Sequence, residues 1–177
     1  MQLTVSNIIS FVRLLLVAPM AWALWTDRSY MAVAIGVLAY LSDILDGYVA
    51  RKRGEISELG KVIDPLADKF FVGAAVVVLL VKGSLAWWFA GAILARDLLI
   101  LVAGIVVSRR MQRVPPSNYT GKAAVVTIGI SLLLTVFSVA PWLELASQLL
   151  AIFLMVASLG VYGARMVQQM RLKSPSL

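Results

Sequence analysis

Residues 31–81 read MAVAIGVLAYLSDILDGYVARKRGEISELGKVIDPLADKFFVGAAVVVLLV. Two apolar runs, Met31–Ala50 and Val62–Val81, flank a short polar joint that holds Arg51, Lys52, Arg53 and Lys61. Each run is about the roughly 20 residues a helix needs to cross a bilayer. Each also carries two aspartates toward the joint, Asp43 and Asp46 in the first and Asp64 and Asp68 in the second.

Outward from this stretch lie four more apolar runs, Ile8–Trp25, Leu85–Ser108, Ala123–Ala140 and Leu143–Ala164. The chain has 177 residues, of which 61% are hydrophobic and 14% charged, and its mean hydropathy is +0.92. A soluble domain is about 45–50% apolar and about 25% charged. The composition therefore excludes an ordinary water-soluble globule, and disorder as well, because too much apolar surface would stand in water. The expectation is an all-α integral membrane protein: one domain over residues 1–177, a bundle of six transmembrane helices. The first run has no convincing small-residue cleavage site after it and reads as a retained segment.

Charge orients the bundle. The net charge is +7, from 16 Lys and Arg against 9 Asp and Glu. Eleven of the basic residues fall between the second and third runs, between the fourth and fifth, or after the sixth; two, Arg28 and Lys82, fall at the opposite ends. This bias places both termini and both basic loops in the cytoplasm of a cell whose inner membrane holds the bundle. It also accounts for the basic pI without a nucleic-acid partner. Trp25, Trp87, Trp88 and Trp142 gather at the other edge, as an interfacial aromatic belt would. Glu144, near the start of the sixth run, is expected at that interface. Gly91, Ala92 and Ala95 in the fourth run, and Ala157, Gly160, Gly163 and Ala164 in the sixth, suit close helix packing.

Cysteine and histidine are absent. Disulfides, thiolate nucleophiles and Cys/His zinc sites are excluded. Acid–base work falls to carboxylates, Lys or Tyr. The aspartates are the candidates, since charges inside spans are costly and mark functional sites. Asp43 and Asp46 are three apart and Asp64 and Asp68 four apart, so on helices each pair shares a face. Asp46 precedes Arg51 by five residues, roughly 7–8 Å of helix. Two antiparallel helices joined at the polar segment can bring the pairs together at one shallow cytoplasmic depth. Four carboxylates so placed repel, and either protons or cations must compensate them. Oxygen-only donors favour Mg2+ or Mn2+. A shared aspartate would allow a paired-metal centre. A hydrogen-bonded acid cluster, or the cation path of a small transporter, fits the same residues.

The residues between the acids sharpen the choice. From Asp43 to Asp68 the chain follows D-x2-D-G-x2-A-R-x8-G-x3-D-x3-D, eight specified residues over 26 positions. This resembles the signature of the CDP-alcohol phosphotransferases, integral membrane enzymes that make phospholipid head groups, and every position matches. The resemblance implies two divalent cations, Mg2+ or Mn2+, held by Asp43, Asp46, Asp64 and Asp68. It implies Asp68 as base for the acceptor hydroxyl, and a CDP site lined by Gly47, Ala50, Arg51 and Gly60. An amino-terminal polar segment helps enclose the nucleotide in the family, which makes Asn7, before the first span, a candidate for that site; it also reads as a helix N-cap. The implied reaction moves a phosphatidyl group from CDP-diacylglycerol to an alcohol and releases CMP, in a homodimer. Locally, Gly47 and Ala50 keep a helix wall thin, and the planar fork of Arg51 suits phosphate oxygens. Pro65 marks either a helix start capped by Asp64 or a kink.

The acceptor rests on weaker marks. Ala95-Arg96-Asp97 and Gly121-Lys122 are similar to elements of phosphatidylglycerophosphate synthases, with Asp97 where Glu is usual and a Thr delayed to Thr127. Arg96, Lys122, Arg109 and Arg165 are the candidates for an acceptor phosphate, and Arg96 pairing with Asp97 is the competing role. Glycerol 3-phosphate is the expected acceptor; phosphatidylglycerol or inositol phosphate would use the same chemistry.

Overall fold

The structure is a computed structural model that describes the backbone over residues 5–53, 60–111 and 119–173, and the side chains over 11–42, 69–102, 119–161 and 163–164. Among the described residues it is all-helical: α1 (Val5–Trp25), α2 (Ser29–Arg53), α3 (Gly60–Val81), α4 (Trp87–Met111), α5 (Tyr119–Val136) and α6 (Pro141–Lys173). Each apolar run becomes one helix. Most ends differ from expectation by two to four residues or more, and three of the differences bear on the reading. Helix α3 starts at Gly60, which puts Asp64 inside it, so Asp64 is not its N-cap. Helix α5 ends at Val136, short of Ala140, because the chain turns at Ser138 (φ 48°). Helix α6 runs past Ala164 to Lys173, through Arg, Met, Gln and Leu residues that favour helix.

The chain forms two compact units, Met1–Ala86 and Trp87–Leu177. In the first, α1 is the common partner and packs along both α2 and α3. Its buried positions are Arg13, Met20, Ala23 and Leu24, spaced so that they lie along one helical face. Helix α2 meets it with Ala32, Ile35 and Ala39, and α3 contributes Val76 and Leu79.

Helices α1, α3 and α5 end in the same way. Each reaches a residue of positive φ, Asp27 (58°), Gly83 (72°) and Ser138 (48°). The next amide then donates back to the helix: Arg28 to the Ala23 carbonyl, Ser84 to Leu79, Val139 to Leu134. These are Schellman caps, which satisfy carbonyls left over at a helix end. Glycine takes that conformation without strain; Asp27 and Ser138 do not.

Lys82 ties two of these ends together. Its ammonium donates to the carbonyls of Leu24 (2.8 Å) and Trp25 (3.2 Å) and pairs with Asp27. A cation thus sits at the negative end of α1 and holds the C-termini of α1 and α3 level. Beside it, the Arg28 guanidinium lies 4.7 Å from the centre of the Trp22 ring.

In the second unit α5 and α6 form a close hairpin, and α4 touches α6. The facing stripes are Ala124, Ile128, Ser131 and Thr135 on α5, and Gln148, Ala151, Met155 and Ser158 on α6. Both repeat in steps of three and four residues, the spacing of one helical face. Ser131 and Thr135 are satisfied within their own helix, as is the less buried Thr127, while the buried Thr120 hydroxyl has no partner among the described residues. Thr127 donates to the Ala123 carbonyl, Ser131 to Thr127 and Thr135 to Ser131, at 2.9, 2.9 and 3.1 Å. Glu144, in the first turn of α6, closes the hairpin. One carboxylate oxygen lies 2.8 Å from the Thr135 hydroxyl and accepts from Gln148 Nε2 at 2.9 Å. The small residues expected to pack are covered only in part, Ala92 and Ala157 being half-buried. Gly91, Ala95, Gly160, Gly163 and Ala164 are exposed, and α4 is buried through Phe89, Ala90 and Ile93 instead.

Large apolar side chains stand exposed on every helix, among them Phe11, Leu38, Phe70, Leu98, Val126 and Phe153. A water-soluble monomer rarely tolerates such faces. Among the described residues, Tyr119–Val136 and Pro141–Val161 are long and apolar enough to cross a membrane, and Phe11–Trp25, Ser29–Ser42 and Lys69–Val81 form shorter apolar stretches. Trp25, Trp87 and Trp142 are exposed and lie at the last or first turn of α1, α4 and α6.

Candidate active site

The signature falls on two helices. Asp43, Asp46, Gly47, Ala50 and Arg51 lie in the C-terminal half of α2, and Gly60, Asp64 and Asp68 lie in the first three turns of α3. Both helices pack on α1, which carries Asn7 in its first turns. Asn7 is therefore inside a helix and is not an N-cap. The side chains of Asn7, Asp43, Asp46, Gly47, Ala50, Arg51, Gly60, Asp64 and Asp68 lie outside the described residues, as do those of Arg109 and Arg165. Among the described side chains no group of three or more acids gathers as a metal site.

Helical register still constrains the acids. The buried stripe of α2 runs Ala32, Ile35, Ala39. Steps of four and three residues carry it on to positions 43 and 46, the same helical face. The two α2 aspartates thus occupy register positions that continue the face α2 buries. Asp64 and Asp68 are one helical turn apart in α3, so that pair also shares a face. Four carboxylates on two helices with a common partner make an all-oxygen donor set, the chemistry suited to a hard divalent cation.

Arg13 is a charged residue that the sequence reading passed over. It lies in α1 and is 3% exposed. The available signal was a charge inside an apolar run: with Lys69 and Arg96 it is one of three basic residues inside or near the ends of the runs, and the sequence reading gives it no role.

The acceptor candidates occupy the second unit. Arg96 sits near the middle of α4, and its Nη1 donates to Asp97 Oδ1 at 2.8 Å. Pairing with Asp97 is therefore one role it fills. Its Nε is also buried and has no hydrogen-bond partner among the described residues. Arg109 follows it by thirteen residues on the same helix, about 20 Å along the axis, so the two stand at different depths. Lys122 is exposed in the first turn of α5, with its ammonium 6.0 Å from the centre of the Tyr119 ring. Arg165 lies in α6.

Helices with exposed apolar faces and an acidic, arginine-bearing element on two helices that share α1 define a membrane-type class of protein. A family model described as CDP-alcohol phosphatidyltransferase matches residues 3–167, and the chain belongs to that family. It is 35% identical over 123 residues to a protein named probable phosphatidylglycerophosphate synthase from Mycobacterium tuberculosis, covering 66% of this chain and 58% of that one. It is 33% identical over 128 residues to the cardiolipin synthase (CMP-forming) of Streptomyces coelicolor, covering 69% and 60%. With the CDP-diacylglycerol--glycerol-3-phosphate 3-phosphatidyltransferase of Aquifex aeolicus it shares 32% identity over 134 residues, 74% of each chain. The match thus spans 58% of the mycobacterial relative's length and 60% of the Streptomyces one's.

Proposed function

We propose that this protein is a phospholipid-synthesising transferase that moves a phosphatidyl group from CDP-diacylglycerol to glycerol 3-phosphate, giving phosphatidylglycerophosphate and CMP. The bundle crosses the inner membrane six times as one domain, with both termini and the active site on the cytoplasmic side, and works as a homodimer. Family membership supports the reaction class. The observation that carries the site is the complete signature placed on two helices that share α1.

Each residue has a task. Arg51 grips diphosphate oxygens with its planar fork. Gly47, Ala50 and Gly60 leave the helix walls thin, so that the nucleotide approaches the backbone, and Asn7 adds a polar group to that site. Asp43, Asp46, Asp64 and Asp68 would hold two divalent cations, Mg2+ or Mn2+, which when bound neutralise the diphosphate and stabilise the departing CMP. The acceptor hydroxyl attacks the phosphatidyl phosphorus, the bond from that phosphorus to the CMP oxygen breaks with its electron pair on CMP, and Asp68 takes the hydroxyl proton. Arg109 and Lys122 near helix ends, and Arg165 within α6, donate hydrogen bonds to the acceptor phosphate, and Arg96 offers its buried Nε deeper in α4.

The Streptomyces relative favours a second reading, with phosphatidylglycerol as acceptor and cardiolipin as product. One assay separates them. The purified protein with CDP-diacylglycerol is offered glycerol 3-phosphate, phosphatidylglycerol and inositol phosphate, and products are read by mass spectrometry. The expected result is phosphatidylglycerophosphate with stoichiometric CMP, lost with EDTA and restored by Mg2+ or Mn2+. Cardiolipin alone would reassign the acceptor. Absence of CMP with every alcohol would remove the transferase reading and favour a cation-coupled transporter.

A further inference from the structure

The described portion of α1 buries a guanidinium in the stripe that faces its two partners. Arg13 precedes Met20 by seven residues and Leu24 by eleven, two and three helical turns on one face. A charge so enclosed by α2 and α3 is costly unless opposite charge lies within reach.

Register locates that opposite charge. The Lys82 ammonium, bound to the Leu24 and Trp25 carbonyls, holds the C-termini of α1 and α3 level. Arg13 is twelve residues before the end of α1, and position 69 is twelve before the end of α3. Asp68 is one residue further on, about 1.5 Å along the axis. Helix α2 starts just past the tight turn that ends α1, and position 41 is twelve residues into it. Asp43 is two residues further, about 3 Å. Helical side chains tilt toward their own N-terminus, so the long Arg13 side chain leans to the side where both aspartates lie. Asp46 and Asp64 are each five residues from those level positions, about 7.5 Å away. Lys69 is the other cation at this level.

From this juxtaposition we propose that Arg13 is the built-in counter-charge of the aspartate quartet: a positioning residue that holds Asp43 and Asp68 together when divalent cations are not bound. The inference deepens the proposed function and rests on its assignment of the four acids. Arg13 touches neither substrate nor leaving group. It offsets carboxylate repulsion in the metal-free protein, and divalent cations take over that task when they bind.

The test is thermal unfolding of the full chain in detergent, with EDTA and with saturating Mn2+. Arg13→Gln lowers the midpoint of the EDTA form by about 10 °C, and Mn2+ recovers most of the loss. Arg13→Lys keeps the charge and recovers part of it without metal. In EDTA, adding Asp43→Asn or Asp68→Asn to Arg13→Gln costs less than the sum of the single changes, because the repulsion it left is removed. An equal loss with and without Mn2+, or strict additivity with both aspartate changes, would overturn the proposal and leave Arg13 a packing residue. If Arg13→Gln does not accumulate, the Arg13→Lys cycle in EDTA decides by the same criterion. The metal-free cycle also stands apart from the transferase reading: no Mn2+ effect on the unaltered chain would count against the metal site, while the coupling of Arg13 to the aspartates would still be measured.

Discussion

The α1–α3 unit and the α4–α6 unit bury different kinds of polar group. In the second, the described buried polar side chains are Ser131, Thr135, Gln148 and Ser158, all neutral. The α5 hydroxyls bond the carbonyl four residues back, and Gln148 reaches Glu144 one turn away. Ser131, Thr135 and Gln148 are thus satisfied locally, as polar groups that act as glue between helices are. In the first unit the described buried polar residue is Arg13. A guanidinium offers five donors, and a helix whose carbonyls already bond their own amides cannot absorb them. Its compensation must come from another helix. The buried neutral groups of α5 and α6 therefore mark assembly, whereas Arg13, and in α4 the part-buried Arg96–Asp97 pair, hold charge that packing alone does not require.

Three substitutions test that contrast, in descending size. Asp68→Asn removes the proposed base from the charged unit. CMP release is expected to fall about 1000-fold, while CDP-lipid binding, measured by equilibrium dialysis, changes only a few-fold; full turnover would strip Asp68 of the role. Glu144→Leu strikes the neutral unit's clasp and strands Gln148. It should lower stability in detergent by about 1 kcal/mol, read as a drop in the melting midpoint, with the rate of CMP release unchanged. A lost rate at full stability would break the distinction between the two units. Ser138→Gly relieves the left-handed cap at the end of α5 and should raise stability by about 0.5 kcal/mol, the net of strain relieved and glycine's greater unfolded freedom. No change in midpoint would mean that Ser138 sits there without strain.

Much of this was open to a reader of the sequence. The six helices follow from six apolar runs bounded by charge, glycine and proline, because burial of apolar surface acts along the whole run. The signature was legible for a different reason: Asp43, Asp46, Asp64 and Asp68 are local in sequence and their spacing is helical. The ends were less legible. Helix α3 begins before Asp64 and α6 continues past Ala164, since helical propensity extends beyond the apolar segment. Gly160 and Ala164 show the limit of a motif. A small-residue pair permits close approach but does not supply a partner, and both are exposed.

The chain's order of residues determined its helical class, its acidic element and its family, all of which rest on neighbours within a few turns. Tertiary structure decided what depends on distant segments. It made α1 the common partner of α2 and α3, turned Lys82 into a clasp across two helix ends, and enclosed Arg13 at the level of two aspartates. No local pattern carries such facts, because a charge near the end of an apolar run can reach water or be walled in, and only the packing of other helices against it settles which.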